Sequence, residues 1–220
     1  MTNLNQQILK FDYEQNFKDQ DFYVSNSNEH SFSLLSSWPK WDKNFINLIG
    51  ENFSGKTHLV NIFLYKFKGI KINADEINNE TLKEIKIHEN IIIEDIDENI
   101  DENLFFTLLN IVDQDNKYLI ITSKKPIVNY LFQLSDLNSR SKNFILSNIE
   151  KPEDDLMFAL ILKNLSDRQI LIDKKLVDYI IKRIDRSYGK IFDFIYKIDE
   201  ISLKRKKPID FKVIKEALGE

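Results

Sequence analysis

From Asn44 to Lys68 the chain reads NFINLIGENFSGKTHLVNIFLYKFK, an apolar run, a glycine-bracketed turn and an amphipathic run with nothing between them. NFINLI is short, β-prone and closed by Gly50, as a buried strand is, whereas Leu59, Ile62, Phe63 and Phe67 recur at helical spacing after Lys56. A strand that passes into a helix through G-x-x-x-x-G-K-T has few folds open to it. The glycines let the backbone curl so that its N–H groups converge on phosphate oxygens, Lys56 brings positive charge to the β and γ positions, and Thr57 offers a hydroxyl to Mg2+. Gly50, Glu51, Asn52, Phe53, Ser54, Gly55, Lys56, Thr57 and His58 are therefore the expected nucleotide-binding residues, with ADP or ATP and Mg2+ as ligands. The bland alternative is a glycine turn that merely joins two elements. Phe53 is unusual, a large side chain where many such loops carry a third glycine.

The alternation continues beyond the loop. GIKIN (69–73) predicts a strand, Asp75 to Lys86 a helix, NIIIEDID (90–97) a buried strand, Leu104 to Val112 a helix, KYLIITS (117–123) a strand and KNFILS (142–147) a last one. This is an α/β pattern, and it implies a mostly parallel sheet flanked by helices on both faces. A short helix is expected over Ser31–Trp38. After Pro152 the strands stop, and EDDLMFALILKNL, DKKLVDYIIKRI, GKIFDFIYKIDEI and DFKVIKEAL are amphipathic helical segments. The expected organisation is a tail over 1–20, an α/β nucleotide-binding domain over 21–150 and a small helical domain over 151–220. The basic cluster LKRKK (203–207) reads as a solvated helix end. Glu94 and Asp95, with Asp97 in reserve, close the isoleucine strand, where carboxylates can hold Mg2+ and orient an attacking water. Taken alone, they also fit a strand end that is simply solvated. Thr122 and Ser123 end a later strand with hydroxyls that either touch a γ-phosphate or water, or only terminate the strand.

Composition narrows the functions available. A chain of 220 residues can hold one domain of ordinary size and a smaller appendage. Its net charge of −4 argues against a surface built to neutralise DNA phosphates, so direct sequence-specific DNA binding is not expected. There is no cysteine, which excludes disulfides and thiolate metal sites, and His30, His58 and His88 are scattered. No stretch approaches the roughly 18 apolar residues of a membrane span, and the N-terminus has no basic-then-apolar leader, so a cytoplasmic protein without a membrane partner is expected.

The order FYVSNSN (22–28), SSWP (36–39), LIGENFSGKTHL (48–59), IIIEDID (91–97), LIITSKKP (119–126), LSDLNSR (134–140) and DRSYGKIFDFIYKID (185–199) resembles the ATPase module of the DnaA-like AAA+ family over nearly the whole chain. Within that family it is similar to the short regulatory-inactivator (Hda) branch. The resemblance implies an AAA+ P-loop NTPase fold followed by a small helical lid domain, and an arginine finger at Arg140 that reaches the nucleotide site of a neighbouring protomer. It implies two protein partners, the replication initiator DnaA and the DNA polymerase sliding clamp, and leaves room for a homo-oligomer. Gln6-Gln7-Ile8-Leu9-Lys10-Phe11 matches the clamp-docking pattern Q-x-x-L-x-F, in which Gln6 hydrogen-bonds at one subsite while Leu9 and Phe11 fill an apolar pocket. Two departures stand out. Glu94 occupies a position that is normally Asp in the initiator, and the second-sensor arginine falls at Gly189, with Lys190 its only basic neighbour; lysine lacks the bidentate fork. Both imply weak self-hydrolysis and a nucleotide that serves as a structural and regulatory ligand. The chain ends at Glu220 without a helix-turn-helix segment, in keeping with no binding of origin DNA. The implied function is to promote hydrolysis of initiator-bound ATP and so limit replication initiation. The competing expectation is an autonomous AAA+ ATPase, a loader or helper in DNA replication that turns over through Lys56, Glu94 and Asp95.

Overall fold

Isoleucine builds the centre of the molecule. The computed structural model describes residues 22–206 and 208–220; Gln6, Leu9 and Phe11 lie outside the described residues. Five strands, β1 (Phe45–Ile49), β2 (Ile70–Asn73), β3 (Asn90–Ile96), β4 (Tyr118–Ser123) and β5 (Ile145–Asn148), form one parallel sheet in the order β2-β3-β4-β1-β5. The register aligns Ile92, Ile120 and Ile46 across three of them. Side chains alternate between faces along a strand. Ile46, Leu48, Ile92 and Ile120 pack with helices α1 (Glu29–Ser36) and α2 (Lys56–Phe67), while Ile91, Ile93, Leu119 and Ile121 pack with α3 (Asn79–Ile85) and α4 (Glu102–Gln114). Burial on both faces is why these strands read as unbroken apolar runs. The short helix α5 (Ser135–Arg140) lies against α4 and leads through a 3-10 turn into β5.

The remaining helices, α6 (Asp154–Asp167), α7 (Lys174–Ile181), α8 (Tyr188–Arg205) and α9 (Phe211–Leu218), enclose a core of their own around Met157, Ile161, Val177, Ile191, Ile195 and Ile214. Leu156 and Tyr188 leave that bundle and enter the apolar layer beneath α1 and α2. The basic cluster is an end of α8 whose Lys204 pairs with Glu200 and whose Arg205 pairs with Glu216. Among the described residues no helix is long and apolar enough to cross a membrane.

Several boundaries depart from the sequence pattern, each for a local reason. The helix expected from Asp75 to Lys86 is broken. Asn73 and Glu76 close a separate 3-10 turn over Ala74–Glu76, and α3 starts only after Asn78, whose side chain accepts from the Glu80 and Thr81 amides while Thr81 Oγ1 accepts from the Asn78 amide. α4 begins earlier than its apolar periodicity, because Asp101 caps the Asn103 and Leu104 amides. β5 begins at Ile145, not at Lys142, since Ser141–Asn143 is a 3-10 turn. The first helix runs Glu29–Ser36, starting ahead of Ser31 and ending ahead of Trp38.

Candidate nucleotide-binding site

The glycine loop leaves the C-terminal end of β1 and closes on the N-terminus of α2. Gly50 donates its amide to the Ser123 carbonyl at 3.1 Å, and a Cβ there would meet Ser54 Oγ at 2.4 Å, so only glycine fits. Gly55 takes φ +95 as the residue preceding α2 and provides no side-chain cap, leaving the first-turn amides of α2 directed into the loop. Ser54 is buried and its hydroxyl has no partner among the described residues. Phe53 adopts φ +65, a region that bulky residues rarely enter, and its ring is 61% exposed and tilted against Phe192 of α8, with centroids 4.9 Å apart. Asn52 and Thr57 are exposed, and His58 packs edge-on against Phe22, which also covers Gly55. Lys56 is only 7% exposed and donates to the carbonyls of Gly50 (2.8 Å) and Glu51 (3.0 Å). Burial pushes its pKa below the ordinary lysine value, Lys124 adds to that, and Asp95, Glu94 and Glu51 oppose it. The loop thus presents uncapped amides, a buried hydroxyl and one ammonium held at close range, a set that suits a di- or triphosphate.

The carboxylates arrive at the same end of the sheet. β3 bulges between Ile93 and Ile96 where it runs beside β4, and Asp95 within the bulge takes φ +57 and turns to solvent. A bulge re-aims side chains, and here it separates the pair. Glu94 stays buried at 6% exposure on the α2 face, while the Asp95 amide donates to Thr122 Oγ1 at 2.9 Å. Glu94 Oε2 lies 3.0 Å from Lys71 Nζ, and Oε1 is buried without a partner among the described residues. Magnesium, implied by the fold family, fits this donor set. The Thr57 hydroxyl, Glu94 Oε1 and Asp95 are hard oxygens, and one is orphaned. No cluster of three metal-binding side chains exists among the described residues, so such an ion draws its other ligands from phosphate and water.

Glu51 is hydrogen-bonded to α8. Its carboxylate accepts from the Tyr188 amide (2.7 Å) and Ser187 Oγ (2.9 Å), capping α8 from a different part of the chain. Tyr188, 2% exposed, donates its hydroxyl to the Glu150 carbonyl at 3.1 Å. Gly189 follows in the first turn of α8, where a Cβ would meet only Ser187 Oγ, at 3.8 Å, and Lys190 is exposed. Arg140 lies elsewhere. It sits over the Phe106 ring, 3.7 Å from Asp113 Oδ2, in a cleft with Phe45, Leu109 and Phe144. Phe45 begins β1, whereas the glycine loop follows its end, so the length of the strand, roughly 15 Å at about 3.3 Å per residue, separates Arg140 from its own loop.

Sequence reasoning thus locates the loop, Glu94, Asp95 and Thr122, which the fold brings to one end of the sheet, and Arg140, which it does not. It misses Lys71, Lys124 and Asn47. Asn47 is fully buried in β1, donates to Ser123 Oγ at 2.7 Å and accepts from the Ile127 amide at 2.8 Å, fixing the segment after β4. The signal for it is the polar letter between Ile46 and Leu48 in NFINLI; Lys71 is likewise a polar letter between the two isoleucines of IKIN.

No family model matches the chain. In sequence it is similar to the chromosomal replication initiator protein DnaA of Thermoanaerobacter sp. (strain X514), 24% identical over 226 residues that cover 90% of this chain and 51% of the relative. The chain therefore spans about half the length of the curated relatives it matches. In fold it is similar to domain III of the Thermotoga maritima replication initiation protein DnaA, with TM-score 0.72 and 16% identity, covering 92% of this chain and 95% of that one. It is also similar to AMPPCP-bound DnaA from Aquifex aeolicus, with TM-score 0.66 and 20% identity, covering 84% and 64%. The parallel five-stranded sheet with its flanking and C-terminal helices is a DnaA-like AAA+ fold.

Proposed function

We propose that this chain is a regulatory DnaA-like AAA+ protein that binds an adenine nucleotide at residues 50–57 and supplies Arg140 to the ATP site of a related initiator protomer. The initiator's ATP is then hydrolysed and replication initiation is limited. The observation that carries this reading is the place of Arg140, at the strand-N-terminal pole of the sheet and away from its own glycine loop. An arginine there serves a neighbour's nucleotide, and an arginine on a transferring phosphoryl group is worth roughly 10³ to 10⁵ in rate. The Aquifex relative's bound AMPPCP supports an adenine nucleotide as the ligand.

Turnover by the chain's own site is the weaker reading. The Thr122 oxygen is engaged by the Asp95 amide, Glu94 is paired with Lys71, and the first turn of α8 offers Gly189 and an exposed Lys190 where an arginine would grip the phosphate tail. Lys56 and the loop amides hold the phosphates, Glu51 holds α8 to the loop, and Asp95 faces solvent, where a water would have to be activated. Magnesium, when bound, would sit on Thr57 and Glu94 and neutralise phosphate charge. The division into a tail over 1–20, a nucleotide-binding domain over 21–150 and a helical lid over 151–220 belongs to the same reading, with Gln6, Leu9 and Phe11 docking the tail on the sliding clamp in the cytoplasm.

Reconstitution tests the whole. Initiator, DNA-loaded clamp and this chain are mixed, and hydrolysis of initiator-bound ATP is followed. Stimulation is expected with the wild-type chain, and its loss with Arg140→Ala and with Gln6, Leu9 and Phe11 all changed to Ala. Ordinary enzymatic turnover by the chain alone, with initiator hydrolysis indifferent to Arg140→Ala, would establish the autonomous ATPase instead.

A further inference from the structure

At the end of β3 the carboxylate of Glu94 already has a cation. Lys71 projects from the edge strand β2 onto the α2 face of the sheet; its Nζ lies 3.0 Å from Glu94 Oε2 and donates to Asn61 Oδ1 of α2 at 3.0 Å. The ammonium bridges sheet and helix at the edge of the molecule, its side chain 33% exposed, while Glu94 is buried beside it. Lys56 cannot do this work, since its own ammonium is spent on the carbonyls of Gly50 and Glu51. A bare carboxylate at this end of such a sheet repels the phosphates next to it, and a divalent cation placed between them removes the repulsion. Here a side chain has removed it in advance. A strongly hydrated dication gains less from a carboxylate whose charge is matched, and the ammonium repels it at short range.

We propose that Lys71 is a resident counter-cation of Glu94, so that the site holds an adenine nucleotide with little dependence on magnesium. This rests on the nucleotide reading above. The Thr57 hydroxyl and Glu94 Oε1 still accommodate a magnesium ion, but its contribution to affinity is small as long as Lys71 is in place.

The test is a titration of the full chain with ADP carrying a fluorescent N-methylanthraniloyl label, followed by anisotropy, in excess magnesium and again in EDTA. The wild-type Kd is expected to differ by less than about threefold between the two conditions, Lys71→Met to bind at least about tenfold more weakly in EDTA than in magnesium, and Lys71→Arg to behave as wild type. Melting temperatures of the variants are recorded alongside. The wild-type pair of titrations decides the matter even where Lys71→Met does not fold. A wild-type Kd that weakens about tenfold or more in EDTA overturns this inference alone, as does a folded Lys71→Met that is as indifferent to the metal as wild type. No binding by wild type in either condition overturns the nucleotide reading and this inference with it.

Discussion

Lys56 is held in a position that is unfavourable without a ligand. It is buried, its hydrogen bonds go to two loop carbonyls, and the desolvation of its ammonium outweighs the field of Asp95, Glu94 and Glu51. The folded state therefore binds this proton less tightly than the unfolded chain, and the group's contribution to stability rises with pH up to the ordinary lysine value of 10.5. Lys56→Met is expected to melt no lower than wild type at neutral pH without nucleotide, to lose the rise of melting temperature relative to wild type between neutral pH and about 10, and to show no thermal shift with ADP. Scanning calorimetry across pH, with and without ADP, checks all three. The lysine is legible in the sequence because eight letters state both its neighbours and its chemistry. Lys71 and Asn47 are not, because each acts through partners that only the sheet brings near, Glu94 and Asn61 for one, Ser123 and Ile127 for the other.

At the scale of elements the decisive junction is between the glycine loop and α8. The N-terminal residue Ser187 makes no side-chain cap of its own, and Glu51 supplies it from a position 136 residues earlier. An anion at a helix N-terminus satisfies orphan amides and the dipole together. Glu51→Ala is expected to cost about 1 to 2 kcal/mol of stability and to speed hydrogen exchange at the first turn of α8, with Glu51→Gln in between; denaturant titration and exchange mass spectrometry measure these. The strands and the four C-terminal helices are legible from their periods, since isoleucine runs and amphipathic spacing state which faces are buried. The break between Ala74–Glu76 and α3 is not, because two asparagine caps compete with a helical pattern that runs across them. The clamp at Glu51 is invisible for a different reason: a glutamate within a glycine loop looks like a filler residue until α8 is folded over it.

For the molecule as a whole, Tyr188 is, with Leu156, a residue that makes two apolar cores act together. It belongs to α8 yet is buried beneath α1 and α2 with Leu35, Ile46, Ile149 and Leu156, and its hydroxyl reaches the Glu150 carbonyl. Tyr188→Ala is expected to cost about 3 to 5 kcal/mol and to separate melting of the helical bundle from that of the sheet, seen as a second calorimetric transition. Tyr188→Phe, which removes one hydrogen bond and no volume, is expected to cost about 1 kcal/mol and to keep a single transition.

The strand that bears the glycine loop is first in sequence but is inserted between β4 and β5, the last two to be made. Its neighbours β4 and β5 are complete only when the ribosome has passed Ser123 and Asn148, so the nascent chain carries an apolar segment that must wait, sheltered or exposed, while roughly a hundred further residues are made. The phosphate pocket thus cannot close before the last strand of the sheet has been made, and a nucleotide can reward folding only once nearly all of the sheet has been committed.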